Sequence, residues 1–243
     1  MEEELYDFHK NQQFSHWWFK GRNKVIEAFL RKEIKNTSND IIDIGAGFGV
    51  CIPILKKFGK VDAIEPYEKA HLHLKELGVN EVYNITNFPK EIPGKKYDIV
   101  TFFDVIEHIE NDSEVVKAVK NDLLKPSGNL IITVPAYMWL WTKHDELNMH
   151  YRRYTKTSLK KLLQDAGYKN IRISYYMTFL FPLAIIDRLL LKLRKNHSVD
   201  GTSKPAGIIN SMFETFFYAE APLVARFNLP FGLSLIAKAD VEA

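Results

Sequence analysis

The run Ile41-Ile42-Asp43-Ile44-Gly45-Ala46-Gly47-Phe48-Gly49 constrains the fold more than any other stretch, because an apolar strand ends directly in three alternating glycines. Glycines at such a place admit positive φ and remove the Cβ atoms that would keep a ligand away from the main chain. An ordinary strand-to-helix turn is the alternative reading. Diphosphate patterns fit poorly: the run does not end in Gly-Lys-Ser/Thr, and the third glycine of the dinucleotide pattern falls on Val50. Glu65 narrows the choice. It ends the next apolar run, Val61-Asp62-Ala63-Ile64, at the spacing of about 20 residues where a carboxylate accepts from the two hydroxyls of a ribose. A ligand carrying a nucleoside is therefore expected.

Strand and helix patterns alternate along the chain, which predicts a parallel sheet covered on both faces. The expected strands are 40–45, 60–65, 81–85, 97–103, 128–134 and 170–177, and the expected helices are 48–58, 67–77, 112–123 and 156–166. The last helix opens after Thr155 or Thr157 and stops at Gly167, as a C-terminal glycine would make it. In an open sheet of this kind ligands gather at the carboxyl ends of the strands, where strand order reverses. Gly45, Glu65, Asp104 and Pro135 are thereby expected to converge.

Composition bounds the function. The 243 residues suit one domain with an elaboration, and the 46% of hydrophobic residues can fill a sizeable core. A net charge of +3 without a dense basic cluster interleaved with aromatics disfavours a nucleic-acid partner. The single cysteine, Cys51, can form no internal disulfide and reads as a small buried hydrophobe. The acidic start Met1-Glu2-Glu3-Glu4 is unlike a signal peptide, so a cytoplasmic protein is expected.

Four stretches in order carry a resemblance: Asp43-Ile44-Gly45-Ala46-Gly47-Phe48-Gly49, Ile64-Glu65-Pro66, Tyr97 through His108, and Leu124-Lys125-Pro126-Ser127-Gly128 through Pro135. The chain resembles the class I S-adenosylmethionine-dependent methyltransferases over roughly residues 15–175 and again at 231–237. What the resemblance implies is a Rossmann-like α/β fold with a seven-stranded, mostly parallel sheet whose last strand is antiparallel. A single domain is expected: N-terminal helical cap 1–36, cofactor-binding core 37–177, helical lid insertion 178–228 and last strand 229–243. By resemblance S-adenosyl-L-methionine is the cofactor. Gly45, Ala46 and Gly47 then approach its methionine portion, Glu65 with Pro66 binds the ribose, Asn87 and Phe88 meet the adenine, and Asp104 and Val105 line the methionine side. Asp43 orders the loop from below. His108 is a catalytic candidate, against the alternative that it caps or packs.

Before the core, His16-Trp17-Trp18-Phe19-Lys20-Gly21-Arg22 leads into a helical pattern. Trp18 and Arg22 suit a lid over a cationic sulfonium and its carboxylate, since indole faces attract cations and guanidinium forks match carboxylates. Docking of an N-terminal helix would explain them equally. After the fifth strand, His144-Asp145 and His150-Tyr151-Arg152-Arg153-Tyr154-Thr155 resemble an element of methyltransferases encoded with cell-surface glycan or lipid-modifying enzymes. His144 and His150 are candidate bases, and Tyr137, Trp141, Arg152, Arg153 and Tyr154 candidate substrate contacts. A folded loop held by Arg pairs with Asp145 or Glu146 is the structural alternative. A metal on His144, Asp145 and His150 is the weakest reading, as no third histidine or cysteine lies nearby, and none is assigned.

Residues 177–186 are apolar and 187–195 abruptly basic, too short for a membrane span. A helical cover over the site is expected, with a peripheral membrane helix as the alternative. A polar loop at 196–207 and an aromatic helix at 208–220 follow. Methyl transfer to an oxygen or nitrogen of a small-molecule, saccharide or lipid-linked acceptor is the expected activity, prenyl-quinone-type O-methylation being one concrete option. The competing readings are a non-catalytic nucleoside-cofactor-binding partner protein and a nicotinamide-dependent oxidoreductase.

Overall fold

The computed structural model describes residues 15–186 and 207–242. Its strands are β1 (Asn39–Ile44), β2 (Gly59–Ile64), β3 (Val82–Tyr83), β4 (Tyr97–Phe103), β5 (Leu124–Pro135), β6 (Lys169–Tyr176) and β7 (Ser234–Asp240). They form one sheet in the order β3-β2-β1-β4-β5-β7-β6. β1, β2, β3, β4 and β5 run parallel, whereas β7 is antiparallel to both β5 and β6. This is the seven-stranded α/β sheet anticipated above. Its order reverses between β1 and β4, which opens a crevice at their carboxyl ends.

The central strands are nearly continuous apolar runs because helices cover both faces. One face packs Ile41, Val61 and Ile99 beneath α1 (Trp17–Glu33), α2 (Ile52–Leu55) and α3 (Glu68–Glu76). The other packs Ile42, Val100 and Ile132 beneath α4 (Asp112–Ala118) and α6 (Lys156–Asp165). Helix ends follow local chemistry: His16 accepts from the Trp18 N–H to open α1, and Thr155 and Ser158 form a capping box on α6. Gly167 takes φ +83° after α6, the stop expected from its position.

Several boundaries moved. α2 is only Ile52–Leu55, not 48–58, because Gly47 and Gly49 hold left-handed φ and the chain turns before Pro53 can start the helix. The helix at 112–123 ends in a π-helical turn, Val119–Leu123, and β5 begins at Leu124 rather than 128. α5 (Lys143–Leu147) is a short helix within the loop after β5.

Residues 178–180 turn and 181–186 are helical, leading toward the mouth of the crevice. α7 (Gly207–Arg226) continues past Pro222, beyond the end expected at 220, and packs along α1. The contact is close: a Cβ on Gly21 would lie 2.3 Å from the Phe217 ring. Trp17 N–H donates to Asn210 Oδ1 at 3.0 Å and Lys20 pairs with Glu214 at 3.0 Å. The acidic start, the basic stretch 187–195 and the loop 196–206 lie outside the described residues. Among the described residues no helix is long and apolar enough to cross a membrane.

Candidate active site

A cavity of about 600 Å³ occupies the crevice. Its floor is the turn after β1, where Gly45 and Gly47 take φ +71° and +55° and present main chain to the open space. A Cβ on Gly47 would meet nothing within 4 Å, so a side chain there would fill the cavity itself. Glu65, buried at the end of β2, braces this turn: its Oε2 accepts from the Gly47 N–H at 2.6 Å and its Oε1 from the Tyr67 N–H at 2.9 Å. Carboxylate oxygens have two acceptor sites each, so Glu65 can serve the turn and a ligand together. Asp43 lies beneath, accepting from Thr101 Oγ1 at 2.6 Å. Burial pushes Asp43 up to about 7, against the pull of Thr101 and Arg22.

Arg22 reaches in from α1 and is almost wholly buried. Its Nε lies 2.7 Å from Asp104 Oδ2, an ion pair out of hydrogen-bond alignment, and its guanidinium sits over Trp18 and Phe103 at 5.2 and 5.8 Å. Burial opposes the charge and is the largest single influence, but Asp104 together with Cys51, Tyr176 and Asp43 outweighs it and raises the guanidinium pKa further. Nη1 also donates to Cys51 Sγ at 3.7 Å. Burial lifts the Cys51 thiol to about 12 despite Arg22, which leaves it a neutral wall group and no nucleophile.

The opposite end is built from two loops. After β4, Asp104 takes φ +58° and a 3₁₀ turn, Ile106–His108, aims Glu107 and His108 at the cavity. After β5, Asp145 is the hub: its oxygens accept from Thr142 N–H at 2.8 Å, and from Arg153 Nε and Nη2 at 2.7 and 2.8 Å. His150 Nδ1 lies 2.9 Å from the same carboxylate. Burial disfavours the charge on Asp145, but His150 and Arg153 more than offset it and hold its pKa well below the usual range. His150 meets His108 edge to face at 4.5 Å. One ligand atom each from Glu107, His108 and His150 lies within 4.8 Å of the others. Burial and then the Asp104 charge raise the pKa of Glu107 well above the ordinary value. His144 also lines the cavity, and burial lowers its pKa.

The cavity thus gathers Trp18, Arg22, Asp43, Gly45, Ala46, Gly47, Glu65, Pro66, Phe88, Asp104, Val105, His108, His144, His150 and Arg153 from the sequence-derived candidates. Five others do not line it. Asn87 points out to Glu91, to which it donates at 3.2 Å, leaving Ile85 and Thr86 beside Phe88 in the wall. Arg152 is taken up by the Ile109 and Glu110 carbonyls and by Asp112 at 3.0 Å. Tyr154 is buried with its hydroxyl donating to Asp112 at 2.7 Å. Trp141 stands behind His150 at 6.5 Å, and Tyr137 stacks on Tyr175 at 5.3 Å next to the cavity. Arg153 pairs with Asp145, as the structural alternative had it, and also faces the cavity, whereas Arg152 ties the loop to Asp112 and not to Asp145 or Glu146. Glu107 was passed over in the sequence; its adjacency to His108 at a strand end was the available signal. The metal reading paired His144, Asp145 and His150, whereas the two groups clustered with His150, Glu107 and His108, come from the β4 loop.

A family model described as "Methyltransferase domain" matches residues 14–173. The ubiquinone biosynthesis O-methyltransferase of Shewanella halifaxensis is 29% identical over 126 residues, covering 49% of this chain and 48% of that protein. The chain spans about half the length of such curated relatives. Among solved structures, phosphoethanolamine N-methyltransferase 2 of Haemonchus contortus in complex with S-adenosyl-L-methionine superposes with TM-score 0.55 at 16% identity, covering 91% of this chain and 53% of that one. A SAM-dependent methyltransferase from Archaeoglobus fulgidus superposes with TM-score 0.55 at 16% identity, covering 90% and 94%. At these identities the superpositions speak for the fold.

Proposed function

Because the chain belongs to the methyltransferase-domain family, we propose that it moves a methyl group from S-adenosylmethionine to an oxygen of a small-molecule, saccharide or lipid-linked acceptor. The observation that carries this reading is one cavity with bare glycine backbone and Glu65 at one end and Glu107, His108, His144 and His150 at the other. The O-methyltransferase relative supports oxygen as the methylated atom.

The residues fit the cofactor. Gly47 offers main chain where a side chain would enter the open space, with Gly45 beside it on the cavity floor; in this reading Arg22 serves the amino-acid end, Glu65 the ribose, and Ile85, Thr86 and Phe88 wall the base. When bound, S-adenosylmethionine supplies an electrophilic methyl group on a sulfonium. The chain's own contribution is positioning, which in-line displacement chiefly requires. Transfer to an oxygen would form the C–O bond from an oxygen lone pair as the C–S pair returned to sulfur, and would ask this chain for a base to take the acceptor proton. His144, kept neutral near pH 7 by burial, takes that proton at a ring nitrogen and passes it to solvent. Asp145 and Arg153 fix the loop that presents His144 and His150.

Beside the cavity, Tyr137, Trp139, Phe181 and Phe231 touch ring to ring at 5.6–6.1 Å. This aromatic wall, half exposed, suits an apolar portion of the acceptor. Calorimetric titration with S-adenosylmethionine, with NADH as control, tests the cofactor. Saturable binding of the first alone is expected, and release of S-adenosylhomocysteine with a panel of phenolic, saccharide and lipid-linked acceptors identifies the substrate. Binding without product from any acceptor would favour the non-catalytic reading; binding of NADH would favour the oxidoreductase.

A further inference from the structure

Methyl transfer by positioning leaves Glu107 unexplained. It is fully buried, lines the cavity, and neither of its carboxylate oxygens has a hydrogen-bond partner among the described residues. Burying such a group without a partner is costly, and a cation is one of the few things that compensates it. The neighbours supply the rest of a ligand set. His150 has its Nδ1 committed to Asp145, which leaves Nε2 as its coordinating atom. That carboxylate is itself fixed by Arg153 and Thr142, the arrangement that orients a metal-binding imidazole. His108 stands across from His150 at 4.5 Å between ring centres.

We propose that Glu107, His108 and His150 bind a divalent first-row transition cation at the acceptor end of the cavity. The three donor atoms lie within 4.8 Å of one another. Around one ion at about 2.0–2.2 Å they would sit roughly 3–4 Å apart, a contraction that side-chain rotation supplies. Two imidazoles and one carboxylate suit zinc, cobalt or manganese better than calcium or magnesium, which prefer all-oxygen shells. Three protein ligands leave positions open toward the cavity. An acceptor oxygen held there is polarised and loses its proton more readily, which is the help an alcohol or phenol needs before methylation. This role rests on the methyl-transfer reading, and the site itself does not.

The test uses the intact chain freed of metal by a chelator, then titrated with ZnCl2 and with CoCl2 by calorimetry, with visible absorption followed for cobalt. One ion per chain is expected, with cobalt bands typical of nitrogen and oxygen ligands. Glu107→Gln and His150→Gln should each weaken uptake at least tenfold, and Asp145→Asn by about 10- to 100-fold through loss of the imidazole's orientation. S-adenosylhomocysteine binding, measured on the same samples, shows that each variant is folded. No stoichiometric uptake by the wild-type chain that still binds S-adenosylhomocysteine overturns the cation site and leaves the function standing. Uptake that is unchanged in both ligand variants places the ion elsewhere and overturns it as well. Uptake without S-adenosylhomocysteine binding supports the site while removing the methyl-transfer reading.

Discussion

Replacing Gly47 by valine would set a branched side chain where the cavity needs bare main chain. Its φ of +55° adds strain of roughly 1–2 kcal/mol. Affinity for S-adenosylhomocysteine should fall more than tenfold by calorimetry, while urea denaturation shows only that modest loss; unchanged affinity would remove the glycine turn from the site. Asp43 makes a second prediction. Its folded pKa of about 7 exceeds the ordinary value of 3.8, so its stabilising contribution is complete below about pH 4 and is lost as the pH rises through 7. At up to about 1.4 kcal/mol per pH unit the slope is measurable between about pH 4 and pH 7 and levels off above it. Asp43→Asn should flatten that part of the profile, and parallel wild-type and variant slopes would refute the assignment. That Gly45, Gly47 and Glu65 meet at one cavity was legible in the sequence because it follows from one turn and one spacing. Arg152 and Tyr154 were not, since their partners, Asp112 and the 109–110 carbonyls, come from another loop. Nor does a sequence record that Glu107 is buried without a partner.

At the level of elements, α7 lies flat on α1, and none of its described residues lines the cavity. Gly21→Leu should lever them apart, because even a Cβ there would sit 2.3 Å from Phe217. A loss of about 1–3 kcal/mol is expected from overpacking, together with faster proteolysis of α7 than of the sheet; wild-type protease resistance would show that the helices can adjust. Glu220, buried on the same helix, accepts from the Thr178 N–H with both oxygens at 3.0 Å and so ties α7 to the start of the 181–186 helix. Periodicity announced α6 well, since Leu159 and Leu163 form one buried apolar stripe, and found α7 through its helical spacing. It overextended α2, where glycine φ angles decide, and stopped α7 early, where Pro222 is carried within the helix.

For the molecule as a whole, one stripe of α7 is both apolar and outward: Ile209, Met212, Phe216 and Leu223 recur at helical spacing and are exposed. With the basic run Arg188, Lys192, Arg194 and Lys195 nearby in sequence, weak reversible binding to anionic vesicles is expected, released by salt. Sedimentation of the intact protein checks this, and no pelleting at low salt would leave the lid as a cover alone. The sheet order was accessible only through the resemblance, because strand spacing does not reveal that the last strand enters between β5 and β6. That placement governs biogenesis. Among the described residues β6 has no strand neighbour in the sheet other than β7, so during synthesis it must wait for about 60 more residues, some 3–12 s at roughly 5–20 residues per second. Through that interval the nascent chain carries an open β5 edge and an undocked aromatic strand, and this is when a chaperone would find it.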